Sequence, residues 1–346
     1  MTAAHTSPMT RAELRACVAA MPRVRFAHLP TPLEELRRLS TELGGPRILV
    51  KRDDATGLAF GGNKARHYEF EMAHLRENGY NALVNVMDYH SNNARVTAAA
   101  ANKMGFRYLL ILRNAKGRRV QGNLLVDKLL GAELHLLSPA ESWRADDLAN
   151  ELGQQLESDG YKPYVRPGKD FPKYVGSIAY VDAGLELAGQ LEDLGITQKV
   201  HLFGVAGRSM CGLVLTAKNL GLDWKFTGVT VNYEHPMQEY IYDVVNGAAR
   251  ELKLAAGFEP SDMEILDSYV GEGYGIPTRE VIEAMHLLGK WESLMLDPNY
   301  TGTVMAALID QIRGGRVPSG ETVVFLHTGG LPAMFTFAEE ISAFPG

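Results

Sequence analysis

The chain has 346 residues and a formal net charge of −6 at pH 7, and 46% of its residues are apolar. This length and composition can bury the core of one large domain or of two ordinary domains. A mildly acidic chain lacks the basic surface that nucleic-acid binding requires, which argues against that class of protein.

The cysteine content and the hydropathy indicate the compartment. The chain contains only Cys17 and Cys211, far apart and without a Cys-x-x-Cys pair, which argues against a disulfide framework and a cysteine-based zinc site. No apolar run reaches about 18 residues, and the N-terminus lacks the apolar core of a secretory signal. We therefore expect a cytoplasmic protein with no membrane span and no metal site.

Short apolar runs alternate with helical patterns along the chain. The predicted strands are Ile48–Arg52, Ala82–Asp88, Tyr108–Leu112, Ala132–Leu137, Lys199–Val205, Phe226–Val231 and Thr322–Leu326. The predicted helices are Ala65–Asn78, Ala94–Met104, Gln121–Leu130, Ala145–Ser158, Leu213–Leu220 and one that starts near Pro332. This alternation predicts an α/β fold with parallel strands and helices on both faces of the sheet. The segment Pro163–Pro172 is rich in proline, which favours a crossing between two domains there.

Ligands of open α/β sheets bind where strands run into helices, and the first such turn contains Lys64. Its sequence, Gly61-Gly62-Asn63-Lys64, is close to a triphosphate-binding loop, but Asn63 separates glycine from lysine and Ala65 follows. We therefore reject triphosphate binding. A lysine at this place can form an imine, although most lysines are simply solvated, and both interpretations stay open.

Three further turns carry small polar residues. Ser91-Asn92-Asn93 precedes an alanine-rich helix and is either an ordinary N-cap or a cradle for a carboxylate. Gly204–Gly212 does not match the dinucleotide fingerprint, and it is either a tight connection or a cup for a single phosphate. With the Gly-Gly turn after His327, these features together fit pyridoxal phosphate and an amino-acid substrate.

Several motifs then resemble one family. They are Lys51-Arg52-Asp53-Asp54, Gly61-Gly62-Asn63-Lys64-x-Arg66, Ser91-Asn92-x-Ala94-Arg95, Gln121-Gly122-Asn123, Asp297-Pro298-x-Tyr300-Thr301-Gly302 and His327-Thr328-Gly329-Gly330-Leu331-Pro332-Ala333. From about Arg25 to Phe337 the chain resembles 1-aminocyclopropane-1-carboxylate deaminase and D-cysteine desulfhydrase, pyridoxal-phosphate enzymes of the tryptophan-synthase-β fold type. The resemblance implies two open-sheet α/β domains with the active site between them. Residues 1–66 and 176–346 would form the larger domain, and residues 67–175 the smaller one.

The resemblance also implies roles for individual residues. Lys64 would form the imine with pyridoxal 5'-phosphate and move the substrate Cα proton, and Asn92 would hydrogen-bond the phenolate oxygen of the cofactor. Thr301 occupies the position expected for the partner of the pyridine nitrogen. Ser91 and the amides of Asn92 and Asn93 would hold the substrate carboxylate. The other implied site residues are Thr328 and Gly329 for the substrate, Ala206, Gly207, Arg208, Ser209 and Met210 for the phosphate, and Tyr274 and Tyr300 as the two active-site tyrosines.

One departure from the family concerns the phosphate. Relatives usually carry lysine three residues after the imine lysine, and this chain has His67 there. We expect Arg208 to supply the cation that a neutral His67 cannot supply.

The residues at 301 and 328 indicate the reaction. Ring-opening deaminases resemble one another in having Glu and Leu there, whereas desulfhydrases have Ser or Thr, and this chain has Thr301 and Thr328. A hydroxyl keeps the pyridine nitrogen closer to neutral, which suffices when a β-substituent leaves with its electrons. The expected reaction is therefore α,β-elimination from a β-substituted alanine to pyruvate and ammonia. We also expect the protein to be a homodimer.

Four alternatives stay open. Three are enzymes: a lyase for another amino acid such as L-cysteate, a β-replacement synthase, and a 1-aminocyclopropane-1-carboxylate deaminase. The fourth is a protein that binds pyridoxal phosphate without turnover.

Overall fold

The computed structural model describes residues 7–166, 171–232 and 236–345. Within these residues the strands are β1 (Leu33–Glu35), β2 (Arg47–Lys51), β3 (Ala82–Asp88), β4 (Arg107–Arg113), β5 (Glu133–Leu136), β6 (Pro163–Val165), β7 (Val200–Val205), β8 (Trp224–Val229), β9 (Glu264–Leu266) and β10 (Thr322–Leu326). The helices are α1 (Arg11–Ala19), α2 (Arg37–Glu42), α3 (Lys64–Glu77), α4 (Asn92–Met104), α5 (Gly122–Leu129), α6 (Ala145–Ser158), α7 (Val175–Asp193), α8 (Arg208–Leu220), α9 (Met237–Glu251), α10 (Arg279–Glu292), α11 (Thr301–Arg313), α12 (Leu331–Met334) and α13 (Ala338–Ser342).

The strands form a larger and a smaller sheet. The larger sheet has the order β1-β2-β10-β7-β8-β9, and the smaller sheet has the order β5-β4-β3-β6. β1 runs antiparallel to β2, and the other recorded strand pairs are parallel. The predicted α/β class with two open sheets is therefore confirmed. The smaller sheet consists of strands between residues 82 and 165, and the exact domain boundaries stay a prediction.

Apolar side chains cover both faces of both sheets, because each central strand is buried on its two sides. On β10, Val324 and Leu326 pack into the cluster that contains α7 and α8, whereas Val323 and Phe325 pack into the cluster that contains α10 and α11. Fully buried strands of this kind belong to parallel sheets covered by helices on both faces.

One prediction about the elements was wrong. Helix α8 begins at Arg208 rather than at Leu213, because Gly212 lies inside the helix and not in the turn before it. A Cβ at Gly212 would come within 2.2 Å of the Ser177 backbone oxygen, so this glycine allows α7 and α8 to pack closely. The first residues of the predicted domain crossing, Pro163–Val165, form the edge strand β6, where a proline at the first position is tolerated. The remainder of that crossing includes residues 167–170, which lie outside the described residues.

The longest helix, α7, is absent from the predicted elements. It is buried around most of its circumference, and its half-buried polar side chains form a narrow stripe of Asp182, Glu186 and Gln190, so its apolar residues show no clear helical period. None of the helices in the described ranges has the length and apolar character that a bilayer crossing needs.

Candidate active site

The carboxyl ends of strands from both sheets surround one cavity of about 390 Å³. Its wall contains most of the residues that the sequence nominates, listed here: Lys64, Ser91, Asn92, Asn93, Ala206, Gly207, Arg208, Ser209, Tyr274, Tyr300, Thr328 and Gly329. The fold therefore brings together four turns that are far apart in the sequence, as expected for ligand sites of open sheets.

Lys64 is the first residue of α3, and the turn before it is held against the end of β10. The Asn63 N–H donates to the Thr328 carbonyl at 3.0 Å. Gly61 and Gly62 have φ angles of 69° and 110°, and a Cβ at Gly61 would lie 2.0 Å from the Asp54 carbonyl oxygen. Glycine is needed here both for its backbone conformation and for space.

The Lys64 ammonium is poorly stabilised in this position. Burial is the main cause that lowers its pKa to about 7, and the nearby Arg208 and Arg166 guanidinium groups contribute to this shift. In the described part of the chain no carboxylate forms an ion pair with Lys64. A lysine with this pKa is partly neutral at neutral pH, and a neutral amine is a nucleophile and a base.

Ser91 and the asparagines after it form the N-terminus of α4. Ser91 caps the helix, and its Oγ accepts a hydrogen bond from the Ala94 N–H at 3.2 Å. The Ser91 hydroxyl hydrogen and the first backbone N–H groups of α4 remain available as donors, which suits a carboxylate at the positive end of a helix. Both interpretations of this turn, cap and cradle, are therefore compatible.

Arg208 and Ser209 open α8 on the opposite side of the cavity. The aliphatic part of Arg208 packs against Gly176 of α7, where a Cβ would lie 2.8 Å from the Arg208 Cβ. Its Nε donates to the Tyr240 hydroxyl at 3.0 Å, which holds the guanidinium at the cavity. A fixed guanidinium beside the free N–H groups of a helix N-terminus is a site for phosphate.

His67 and Met210 lie behind the wall rather than in it. The His67 Nε2 is 3.4 Å from the Ser209 Oγ, and Asn63 Nδ2 donates to the same oxygen at 3.0 Å. Burial lowers the pKa of His67 well below its usual value, and Lys64 and Arg208 add to that shift. His67 is thus neutral and supports Ser209, and Met210 is buried against Gly204.

Two tyrosines close one side of the cavity. The Tyr300 hydroxyl donates to the Tyr274 hydroxyl at 3.1 Å. Burial raises the pKa of Tyr274 well above its usual value, and Tyr300 contributes to that rise. Tyr274 therefore keeps its proton at neutral pH and can donate it in a hydrogen bond.

Thr301 and Thr328, the two positions that distinguish ring-opening deaminases from desulfhydrases, occupy different places. Thr328 lines the cavity, whereas Thr301 is fully buried and absent from its wall. The Thr301 hydroxyl donates to the Asp297 carboxylate at 2.7 Å. Thr301 therefore lies behind the wall and Thr328 in it, and the role of each toward a bound ring stays a prediction.

Sequence reasoning missed several residues at the cavity. Asn63, Asp88, Arg113 and Tyr240 line it. Asp88 and Arg113 are neighbours in register at the ends of β3 and β4, and no local motif marks either. Arg166 was also missed, because its influence on Lys64 arises from a contact between distant parts of the chain.

The residues present fit pyridoxal 5'-phosphate. A buried lysine of low pKa suits an imine, and the Arg208 guanidinium in the cavity wall supplies positive charge that a phosphate would balance. Among the described residues no group of three or more His, Cys, Asp or Glu side chains could hold a metal ion.

Comparison with known proteins defines the class. Residues 24–329 match the family model described as pyridoxal-phosphate dependent enzyme. The chain belongs to this family and is an enzyme of the lyase and deaminase type, with pyridoxal 5'-phosphate as its cofactor.

Individual relatives refine this assignment. The chain is 35% identical, over 94% of its length and 97% of the relative, to a Pyrococcus abyssi protein with the provisional name 1-aminocyclopropane-1-carboxylate deaminase. A crystal structure of a homologue of that deaminase superposes with a TM-score of 0.85 at 31% identity, covering 96% of this chain and 99% of the other. Threonine deaminase isoform 2 of Solanum lycopersicum shares the fold, with a TM-score of 0.64 at 17% identity over 97% of this chain and 93% of its own.

Proposed function

We propose that the protein catalyses α,β-elimination from a β-substituted alanine, in the manner of D-cysteine desulfhydrase. Removal of the Cα proton and loss of the β-substituent, followed by hydrolysis, yield the protonated leaving group, pyruvate and ammonia, and consume one water. The bound cofactor supplies the electron sink that makes the Cα proton acidic.

The observation that carries this proposal is the pair of hydroxyl residues, Thr328 in the cavity wall and Thr301 behind it. Neither is a carboxylate, so neither can keep a ring nitrogen protonated as a glutamate would. A weaker electron sink suits a reaction in which the leaving group carries the electrons away. Ring opening of a cyclopropane has no such leaving group.

The remaining roles follow from the contacts described above. Lys64 moves the Cα proton, because its lowered pKa of about 7 allows it to accept and release a proton at neutral pH. Ser91, Asn93 and the N–H groups of α4 bind the substrate carboxylate. Tyr274, protonated and hydrogen-bonded to Tyr300, donates a hydrogen bond to the reacting substrate.

The experiment compares two products from the unmodified protein. We expect pyruvate from β-chloroalanine and D-cysteine, and little 2-oxobutanoate from 1-aminocyclopropane-1-carboxylate. The double variant Thr301→Glu and Thr328→Leu should shift the ratio toward 2-oxobutanoate. More 2-oxobutanoate than pyruvate from the unmodified protein would refute the proposal, and cofactor absorbance without either product would indicate a binding protein.

A second candidate is a lyase for a substrate with an anionic β-substituent, such as cysteate. Arg113 favours it, because this guanidinium lines the same cavity as Lys64. Arg113 also forms an ion pair with Asp146 at 3.0 Å, but the Asp146 side chain is exposed, so solvent weakens this pair. Release of sulfite from L-cysteate that falls at least tenfold in Arg113→Met, with β-chloroalanine elimination retained, would favour this candidate. The homodimer and the cytoplasmic location stay predictions.

A further inference from the structure

The buried side chain of Asn123 links the turn that precedes α4 to Arg95 in the first turns of the same helix. Asn123 lies at the start of α5 and is 1% exposed. Its Nδ2 donates to Asn92 Oδ1 at 2.9 Å and to the His90 carbonyl at 2.9 Å. Its Oδ1 accepts from Arg95 Nε at 3.0 Å. All of its hydrogen-bonding atoms thus have partners of fixed position.

The groups at the two ends of this series of hydrogen bonds determine which atoms donate and which accept. A guanidinium can only donate, so the Asn123 atom that faces Arg95 must be the oxygen. A backbone carbonyl can only accept, so the atom that faces His90 must be the nitrogen. The Asn92 atom that meets this nitrogen is therefore its oxygen, and the Asn92 Nδ2 group is left for the cavity.

Arg95 is itself held firmly. Its guanidinium is buried, and it donates to the carbonyls of Gly61, at 3.2 Å, and of Ala59 in the turn that precedes Lys64. Burial lowers the pKa of Arg95 to about 10, so the group still carries its proton at neutral pH. The direction of the hydrogen bonds is therefore constant across the working pH range.

We propose that Asn123 is a positioning residue that holds the Asn92 carboxamide with its N–H groups toward the cavity. Asn92 thereby becomes a donor, and not an acceptor, for the phenolate oxygen of pyridoxal phosphate. This inference rests on the proposed function, in which pyridoxal phosphate is bound, and on the role that the family resemblance implies for Asn92. It does not depend on which amino acid is the substrate.

The proposal has a spectroscopic consequence. A donor on the phenolate oxygen stabilises its negative charge, and so lowers the pKa of the Lys64 nitrogen conjugated with it once the cofactor is attached. An Asn92 carboxamide turned by half a rotation would present its oxygen instead and raise that pKa. The pH midpoint of the visible absorbance of the holoenzyme reports this pKa directly.

The decisive variant is Asn123→Asp, which keeps the shape of the side chain and its acceptor for Arg95. It replaces the donating nitrogen by an oxygen, so Asn92 must turn to donate to it. We expect the pH midpoint of the holoenzyme to rise by about one to two units, the equivalent of losing a hydrogen bond to a charged group. Asn123→Ala frees Asn92 to adopt either orientation and should give a smaller rise.

Two controls separate positioning from packing and from charge. Asn102→Ala removes a different link between α4 and α5, the 2.6 Å hydrogen bond from Asn102 to the Leu130 carbonyl, and should leave the midpoint unchanged. In an Asn92→Ala background, Asn123→Asp should produce no further shift.

Each possible result either supports or overturns the proposal. A rise in Asn123→Asp that disappears in the Asn92→Ala background supports the proposal, even if the protein shows no elimination activity. A midpoint unchanged in Asn123→Asp and Asn123→Ala, or unchanged in Asn92→Ala itself, overturns it. A shift of the same size with and without Asn92 also overturns it, because the new carboxylate would then act on its own.

Discussion

Two buried clusters of charge lie side by side at the start of helix α3, and they are built in opposite ways. Arg66 belongs to a cluster in which cations and carboxylates balance, whereas Lys64, two residues earlier, faces the cavity without a carboxylate partner in the part of the chain that the structure describes. The pKa values follow this difference. Burial lowers the pKa of both groups, but Asp53 and Glu186 reverse the effect and raise that of Arg66.

The balanced cluster fixes the turn that carries the functional lysine. Arg66 donates to Asp53 at 2.9 and 3.0 Å and to Glu186 at 2.9 and 3.1 Å, and Lys51 pairs with the same Glu186. Buried charges that are fully paired in this way are tolerable, because each hydrogen-bonding atom has a partner. The comparison teaches that charges serving the fold are paired within it, and that charges left unpaired at a cavity are paired by a ligand.

The largest expected effect is that of Lys64→Ala. We expect it to abolish turnover and the visible absorbance of the bound cofactor, because no other amine lines the cavity among the described residues. The free energy of unfolding of the cofactor-free protein should hold or rise, since an unpaired buried cation is removed. Enzyme assays test the loss of turnover, and urea unfolding tests the free energy of unfolding. An active Lys64→Ala protein would refute the assignment of the site.

The opposite result is expected for Arg66→Met. This change leaves the carboxylates of Asp53 and Glu186 without their main partner, and should lower the free energy of unfolding by about 3–5 kcal/mol. Arg107→Met is the matched control, because Arg107 pairs with Glu133 at the surface and its loss should cost at most about 1 kcal/mol. Equal losses in the two variants, measured by urea unfolding, would contradict the comparison.

Arg208→Ala tests whether a charge at the cavity is paired by a ligand. If Arg208 binds the phosphate, it contributes about 1.5–3 kcal/mol, so its removal should weaken cofactor affinity about ten- to a hundredfold. Titration of the cofactor-free protein with pyridoxal phosphate measures this. Tyr240→Phe, which removes the acceptor for the Arg208 Nε and keeps the guanidinium, should produce a smaller loss. An affinity unchanged in Arg208→Ala would show that the N–H groups of α8 suffice.

Much of this arrangement is predictable from the sequence, and the limits have physical causes. The strand-to-helix turns are local, so their glycines and polar residues mark Lys64, Ser91 and the glycine-rich segment 204–212 without knowledge of the fold, although not the residue at which α8 begins. Thr301 differs, because its direction depends on how Asp297 caps the first turn of α11. Arg166 approaches Lys64 only through packing of distant segments, which no local pattern encodes.

The expected effect that is smallest for each step of the experiment, at most about 1.4 kcal/mol per pH unit, is a pH dependence of stability caused by Lys64. Its pKa is about 7 in the folded protein and about 10.4 in an unfolded chain. Between these values the unfolded chain holds a proton that the folded chain has released, so stability should rise with pH. The slope is at most about 1.4 kcal/mol per pH unit for one group.

Other groups titrate in the same window, so the informative quantity is the difference between the unmodified protein and Lys64→Met. Without cofactor, the unmodified protein should gain stability relative to Lys64→Met as the pH rises from about 7 to about 10. With the cofactor attached, Lys64 is no longer a free amine, and the gain in the unmodified protein should vanish. A pH-independent difference without cofactor would mean that Lys64 keeps its proton inside the fold. Its charge would then be paired like that of Arg66, and the contrast between the two clusters would fail.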